Sequence, residues 1–224
     1  MSQRLPTRLT AAAMLASTLA LAACSWGYKP PAPTPLQANP AEGSAQIAWR
    51  GSIGAGATLP MQMAVQADQV VFATVRGQVE ALSASNGARA WSVNVGQPLS
   101  AGVGFDGTTA AVITAKTELL AIRDGNVLWR VPLQHQSSTP PLVAGGRVFV
   151  VGSDHTVSAY DGNNGFLLWN QKSNLPSGRL ALSQPSLLMP AYGALFVGVA
   201  GNVVGFNPDT GEALGDIPLA SPSG

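Results

Sequence analysis

The stretch that decides the fold reads RVFVVGSDHTVSAYDGNNGFLLW and covers residues 147–169. It opens with an apolar run rich in Val and Phe, which favours a buried strand. After a glycine-led turn, residues 156–160 alternate, so that one face of a second strand can be buried. Asn164-Gly165 supplies turn residues that tolerate a positive φ. A third strand then ends at Trp169, four residues after the glycine.

This pattern repeats along the chain. Tryptophans occur at positions 49, 91, 129 and 169, which are 42, 38 and 40 residues apart. A period of about 40 residues is typical of β-propeller blades. Four copies of the unit begin at Gln69, Thr109, Arg147 and Ala194, and the last has Gly215 where the others have Trp. The fixed offset predicts that each indole packs between neighbouring blades. A β-sandwich with coincidental tryptophans is the alternative.

Composition supports an all-β chain and excludes several classes of protein. Hydrophobic residues make up 46% and charged residues 10%, which excludes a disordered chain. The net charge is +1 and the sequence has no Lys/Arg cluster, so a nucleic-acid partner is not expected. Twenty-five glycines and seventeen prolines, without a long helical period after the first 24 residues, favour many short strands and turns.

The first 24 residues predict export. Arg4 and Arg8 precede an apolar run, 9–20, that is too short to span a bilayer. Leu21-Ala22-Ala23-Cys24 resembles the bacterial lipobox, which implies that residues 1–23 are a lipoprotein signal peptide and that Cys24, the only cysteine, receives lipid. Several acyl chains would make a durable anchor. By the same resemblance, Ser25 implies transfer to the outer membrane. An ordinary signal peptide with a coincidental cysteine is the alternative.

Residues 24–45 are expected to form a lipidated, Pro-rich tether, and 46–224 a partial β-propeller. Pro30, Pro31, Pro33, Pro35 and Pro40 favour extended, solvated backbone in the tether. A loop packed on the domain is the less favoured interpretation.

The repeat resembles the PQQ-type propeller repeat over about 47–217. Together with the lipobox and the tether, it is similar to the BamB family of outer-membrane assembly lipoproteins. The resemblance implies an eight-bladed, non-catalytic scaffold on the periplasmic face of the outer membrane. It also implies binding to the barrel subunit of the assembly complex, with unfolded outer membrane proteins as a further expected partner. About four of the eight blades are present, which suggests a partial form; a closed four-bladed ring or closure by dimerisation are alternatives. A strand at Ala48-Trp49-Arg50 would complete a last blade.

No catalytic, cofactor-binding or metal-binding residue is predicted. PQQ-dependent dehydrogenases share the repeat, but many carry adjacent cysteines that this chain lacks. Histidines 135 and 155 form no zinc signature and are expected on the surface or in turns. The glycines at 96, 102 and 104 are expected in a connecting loop without a helix to cap a phosphate. The aspartates at 106, 124, 161 and 209 are expected in turns. A dehydrogenase-like propeller and a periplasmic ligand-binding propeller remain alternatives.

A partner-binding site is predicted in the insertion 174–183. It combines leucines with one arginine, which are typical binding anchors. By resemblance, BamB-like proteins carry a Leu/Arg loop at about this place that meets the barrel subunit. The predicted contacts are Leu175, Arg179, Leu180 and Leu182. The alternative is that these leucines form an inward-facing strand.

Overall fold

The computed structural model describes residues 46–51, 62–172, 187–199 and 202–218. The chain divides into two compact units, Met1–Gln46 and Ile47–Gly224, and the strands described here belong to the second. They form four antiparallel sheets of four strands each, in sequential order. The predicted four blades are therefore confirmed. No helix long and apolar enough to cross a membrane occurs within the described ranges.

The strands are numbered along the chain. Blade 1 contains β1 (Ala64–Gln66), β2 (Gln69–Ala73), β3 (Gln78–Ser83) and β4 (Arg89–Asn94). Blade 2 contains β5 (Leu99–Phe105), β6 (Thr109–Thr114), β7 (Glu118–Arg123) and β8 (Asn126–Pro132). Blade 3 contains β9 (Leu142–Ala144), β10 (Arg147–Val151), β11 (Thr156–Asp161) and β12 (Leu167–Lys172). Blade 4 contains β13 (Leu187–Ala191), β14 (Ala194–Val199), β15 (Asn202–Phe206) and β16 (Ala213–Pro218).

The first strand of each blade was missing from the predicted repeat. These strands lie side by side, β1 next to β5, β5 next to β9 and β9 next to β13. The expectation that Gly102 and Gly104 lie in a connecting loop is wrong, because both belong to β5. A Cβ on Gly104 would lie 2.0 Å from the carbonyl oxygen of Pro141, so the strand needs glycine where blades 2 and 3 approach each other.

Three apolar cores fill the spaces between consecutive blades. In β6, Ala110 and Val112 pack toward blade 1, whereas Ala111 and Ile113 pack toward blade 3. Every residue of β6 is buried, because both faces of the sheet are covered. The third core joins blades 3 and 4 and contains Phe149, Trp169 and Phe206. The centre of the Trp169 ring lies 6.0 Å from that of Phe149 and 6.4 Å from that of Phe206. The predicted packing of tryptophans between blades is confirmed here.

A β-bulge sets the position of each tryptophan. Between the third and fourth strands of every blade the register shifts by one residue. The tryptophan then pairs with a fully buried alanine, as in Trp129 opposite Ala121 and Trp169 opposite Ala159. In blade 4 the corresponding pair is Gly215 opposite Gly205. Gly215 therefore stands at the tryptophan position, as predicted.

Each buried tryptophan docks on the turn between the third and fourth strands of the next blade. The Trp129 indole N–H donates to the Gly162 carbonyl at 3.0 Å, and its ring would lie 2.7 Å from a Cβ on Gly165. Trp169 bonds to the Pro208 carbonyl at 3.0 Å and covers Gly211 in the same way. A side chain at either glycine would collide with the indole.

Trp49 makes the same contact with blade 1. Its indole N–H donates to the Ala84 carbonyl at 2.8 Å, and its ring covers Gly87. The expectation that 48–50 form a strand is wrong for this chain, since residues 46–51 belong to no sheet. A strand requires a neighbour to pair with its backbone groups, and no described strand pairs with this segment.

The docking turns are held by side-chain caps and a left-handed glycine. In blade 3, the Asp161 carboxylate accepts hydrogen bonds from the N–H groups of Asn163 and Asn164, at 2.8 and 3.2 Å. Gly165 then adopts φ 75° and donates its N–H to the Asp161 carbonyl at 2.9 Å. A left-handed conformation favours glycine, as the Asn-Gly sequence predicted.

We expect Gly165→Ala to destabilise the protein by about 3 kcal/mol, because a new Cβ would meet the Trp129 ring in a left-handed conformation. Gly146→Ala is the matched control in the same blade. Gly146 has φ 73° but open space around it, so its cost should be about 1 kcal/mol. Urea denaturation of both variants measures the two free energies of unfolding. Equal losses would show that the indole contact contributes nothing.

Candidate partner-binding face

The residues predicted to bind a partner, Leu175, Arg179, Leu180 and Leu182, lie outside the described residues, as does Cys24. Their segment connects the end of β12 at Lys172 to the start of β13 at Leu187. Both of these residues lie at one end of the sheets. The same end carries the connections 95–98 and 133–141 and the turns between second and third strands. We call this end the connection face.

The first connection, 95–98, is fixed by backbone hydrogen bonds to two blades. Val95 donates its N–H to the Gly77 carbonyl at 2.9 Å, which holds it to the turn of blade 1. The Ala115 N–H in turn donates to the Pro98 carbonyl at 2.9 Å, which holds the connection to the turn of blade 2. The connection therefore joins the two blades rigidly.

The second connection, 133–141, is held in the same way. Leu133 donates its N–H to the Thr117 carbonyl of blade 2, and Ser153 of blade 3 donates to the Gln136 carbonyl, both at 2.8 Å. Ser137 is 4% exposed and its hydroxyl accepts a hydrogen bond from the Thr139 N–H at 3.2 Å. A connection with buried polar groups that are bonded in this way is a fixed part of the scaffold.

A side-chain contact joins this connection to the turn of blade 3. His135 Nε2 lies 3.3 Å from an Asp154 carboxylate oxygen. Burial raises the pKa of Asp154, but hydrogen bonds from the Thr156 hydroxyl and N–H, at 2.6 and 3.1 Å, and the nearby His135 outweigh it. The pKa of Asp154 therefore lies below its ordinary value, and the carboxylate is ionised at neutral pH.

A polar cavity of about 320 Å³ lies between blades 2 and 3 at the connection face. Five of its seven described lining residues carry a hydroxyl group, namely Ser100, Thr114, Ser137, Ser138 and Ser153. The Ser100 hydroxyl lies 3.1 Å from the Ser137 carbonyl and 3.2 Å from the Thr114 carbonyl, so it links the connection to β6. Such a cavity can accommodate water or small polar groups through neutral hydrogen bonds.

Sequence reasoning missed both the His135–Asp154 contact and the serine-lined cavity. The contact joins a residue of a connection to a residue of a turn, and the cavity is lined by four separate segments. No spacing rule links such residues, because only the folded blades bring them together. The prediction that both histidines lie on the surface or in turns is confirmed, since His135 is 45% exposed and His155 occupies a turn with φ 68°.

The aspartates predicted to lie in turns cap or form turns. Asp106 accepts hydrogen bonds from the N–H groups of Thr108 and Thr109, at 2.9 and 2.8 Å. Asp124 has φ 48°, and Asp209 lies in the docking turn of blade 4. Among the described residues, no group of three or more His, Cys, Asp or Glu side chains lies close enough together to hold a metal ion.

Comparison with known proteins identifies similar sequences. The family model described as outer membrane protein assembly factor BamB matches residues 45–224. A curated relative, the outer membrane protein assembly factor BamB of Bordetella pertussis, is 31% identical over 221 residues, covering 95% of this chain and 56% of its own length. The chain thus spans about half the length of the curated relatives it matches.

Solved structures share the fold. The crystal structure of BamB from Moraxella catarrhalis is 24% identical, with a TM-score of 0.60, and the match covers 70% of this chain and 48% of that chain. A quinohemoprotein alcohol dehydrogenase from Pseudomonas putida HK5 is 16% identical, with a TM-score of 0.54, covering 70% of this chain and 33% of that chain. At these identities the likeness shows the fold alone.

We expect Asp154→Asn to lower the free energy of unfolding at neutral pH by about 1 kcal/mol, because the ionised carboxylate accepts the Thr156 bonds best. The native pKa is lowered, so this stability is present above the ordinary carboxyl pKa and is lost as pH falls through the native pKa. Urea denaturation between neutral and strongly acid pH measures the difference, which should shrink on acidification. Thr156→Val should reproduce part of the loss. A difference that stays constant with pH contradicts this account.

Proposed function

Because the chain belongs to the family of the outer membrane protein assembly factor BamB, we propose that it is a non-catalytic scaffold of the outer-membrane β-barrel assembly machinery. In this role it aids the folding and insertion of outer membrane proteins by binding the barrel subunit. The observation that carries the proposal is the family match over residues 45–224, which includes every described strand. Since the chain spans 56% of the length of its relative, its blades would form part of a larger propeller.

The connection between blades 3 and 4 is the strongest candidate for the partner contact. The number of residues between consecutive blades increases along the sequence, from 95–98 through 133–141 to 173–186. The first two are bonded to the turns on either side, so this end of the sheets is a firm base for a longer segment. Binding residues are commonly carried by loops on such a base. Leu175, Arg179, Leu180 and Leu182 would supply apolar anchors and one cation.

A lipid anchor at Cys24 would hold the protein at the periplasmic face of the outer membrane. The lipobox sequence and the single cysteine support this part of the proposal. The Pro-rich segment 24–45 would act as a tether of extended backbone. With about 3.1 Å per residue, such a tether spans tens of ångströms, enough to let the propeller reach its partner.

The two alternative functions have less support. A propeller that stacks a ligand on its repeated tryptophans would need exposed indoles, but Trp129 and Trp169 are 9% and 8% exposed because they pack between blades. A dehydrogenase-like role rests on a likeness to solved enzymes that extends to the fold alone.

Replacing Arg179 and Leu180 by alanine should weaken binding to the purified barrel subunit about tenfold or more, because hot-spot residues of this kind are each worth about 2 kcal/mol. The thermal midpoint should stay unchanged. Biolayer interferometry and thermal scans measure the two quantities. The control is Arg89→Ala with Leu214→Ala, which removes an exposed arginine and leucine from the outer strands. Loss of stability with binding intact would support the inward-facing strand instead.

Cys24→Ser should abolish incorporation of labelled palmitate and move the protein from the membrane fraction to the soluble periplasmic fraction, because the thiol is the acceptor of the lipid. Fractionation of the native host, with the wild-type chain beside the variant, measures both effects. An ordinary signal peptide would leave both chains unlabelled and equally soluble, and would overturn the anchor.

A further inference from the structure

A second cavity lies at the end of the sheets opposite the connection face, and the proposed function does not use it. It is bounded by the turns between the first and second strands of blades 3 and 4 and has a volume of about 330 Å³. Phe149 and Leu195, which are 2% and 1% exposed, belong to its apolar lining, together with Pro190 and Pro208. Arg147 is the one charged side chain among its described lining residues. We call this space the turn cavity.

The cavity exists because these two turns do not pack against each other. At the junction of blades 1 and 2, a Cβ on Gly107 would lie 3.1 Å from the Cβ of Ala67, so the corresponding turns are in contact. At the junction of blades 3 and 4, Cβ atoms on Gly146 and Gly193 would meet nothing within 4 Å. Of these two junctions, only the one between blades 3 and 4 therefore leaves a space between its turns.

Arg147 holds unused hydrogen-bonding capacity at the cavity. One guanidinium nitrogen lies 2.6 Å from an Asp209 carboxylate oxygen, and another donates to the Gly145 carbonyl at 3.2 Å. Its Nε is buried and has no partner. A buried donor without a partner is costly, so a second acceptor at this guanidinium would be favourable.

Tyr192 lines the cavity from the tip of the β13–β14 turn. Its side chain is fully exposed, and the residue adopts φ 50°, which is unusual for a bulky side chain. The Tyr192 ring gains no burial within the described chain that would offset this backbone strain. Residues in such conformations cluster at binding sites.

We propose that the turn cavity binds a carboxylate attached to an apolar or aromatic group. The apolar part would lie against Phe149 and Leu195 beneath Tyr192, and the carboxylate would meet the Arg147 guanidinium. A volume near the lower end of the range for ligand sites fits a single amphiphilic residue or small acid. One cation in an apolar lining matches one negative charge, whereas a doubly charged phosphate would retain an uncompensated charge.

Asp209 is the internal competitor of such a ligand. Its side chain is 67% exposed, and an ion pair this open contributes little to stability. A ligand carboxylate can replace it on the guanidinium, since planar guanidinium groups bind carboxylates through two parallel hydrogen bonds. Removal of Asp209 should therefore strengthen ligand binding, whereas removal of Arg147 should weaken it.

The test uses the purified full chain in detergent and N-acetyl-phenylalanine as the probe, with binding followed by NMR titration. A ligand of this size should bind with a dissociation constant of about 1 mM. Arg147→Gln should weaken binding about tenfold, and Asp209→Asn should strengthen it several-fold. N-acetyl-phenylalanine amide and N-acetyl-glycine, which lack the charge and the apolar group respectively, should bind far more weakly.

Arg130→Gln is the matched control, because Arg130 also forms a surface ion pair, with Glu118 at 3.2 Å. It should leave the affinity unchanged. A pentapeptide that ends in phenylalanine distinguishes two sources of the ligand. If the peptide competes with N-acetyl-phenylalanine, the cavity binds chain termini. If the peptide does not bind, the cavity binds small acids. The proposal is overturned if acid and amide bind equally, or if Arg147→Gln and Asp209→Asn shift the affinity in the same direction. The amide comparison needs no variant, so it holds even if a variant fails to fold.

Discussion

The contact on which the rest of the fold depends is a tryptophan ring laid on a glycine of the next blade. Trp129 on Gly165 and Trp169 on Gly211 show its requirements. The glycine must be left-handed and lack a side chain, and the turn must offer a carbonyl to the indole N–H. The alanine opposite the ring must be small, and a bulge must aim the ring outward from its own blade. Each of these local features is required for the contact between blades.

Trp129 and Trp169 join blade 2 to blade 3 and blade 3 to blade 4 in this way, and an apolar core fills each of the three junctions. The stability of the described unit is therefore approximately a sum over blades and junctions, as in other repeat proteins. Blade 2 has both faces covered, so β6 is apolar throughout instead of alternating. Blade 4 differs, because Gly215 occupies the tryptophan position and a side chain there would meet nothing within 4 Å. The indole contacts that Trp49, Trp129 and Trp169 make therefore have no equivalent ring on β16.

The sequence could predict whatever depends on the repeat. The 40-residue spacing, the Asn-Gly turns and the Gly-to-Trp offset located three strands of each blade and the buried indoles. It could not predict the first strand of each blade, and two of these strands, β1 and β9, have only three residues, which are too few to show a period. It also placed Gly102 and Gly104 in a loop, because their role is the close approach of another blade. The His135–Asp154 contact and the turn cavity join residues from different strands or blades, and no pattern within one repeat encodes such pairs. The prediction of the partner-binding residues rests on loop composition and family resemblance alone, because these residues lie outside the described part of the chain.

The two ends of the sheets differ in how much change they allow. At the end opposite the connection face, the turn between the third and fourth strands must keep its length to present both a glycine and a carbonyl to the indole. Blade 2 has a turn of only two residues, 124–125, where blade 3 has 162–166, and Trp91, which faces this short turn, is only half-buried. A shorter turn therefore costs the indole much of its cover. At the connection face, connection 133–141 is longer than connection 95–98, yet hydrogen bonds to the adjacent turns hold both. Connections can lengthen there without disturbing the cores, so this end is where a propeller of this kind can acquire a partner-binding loop.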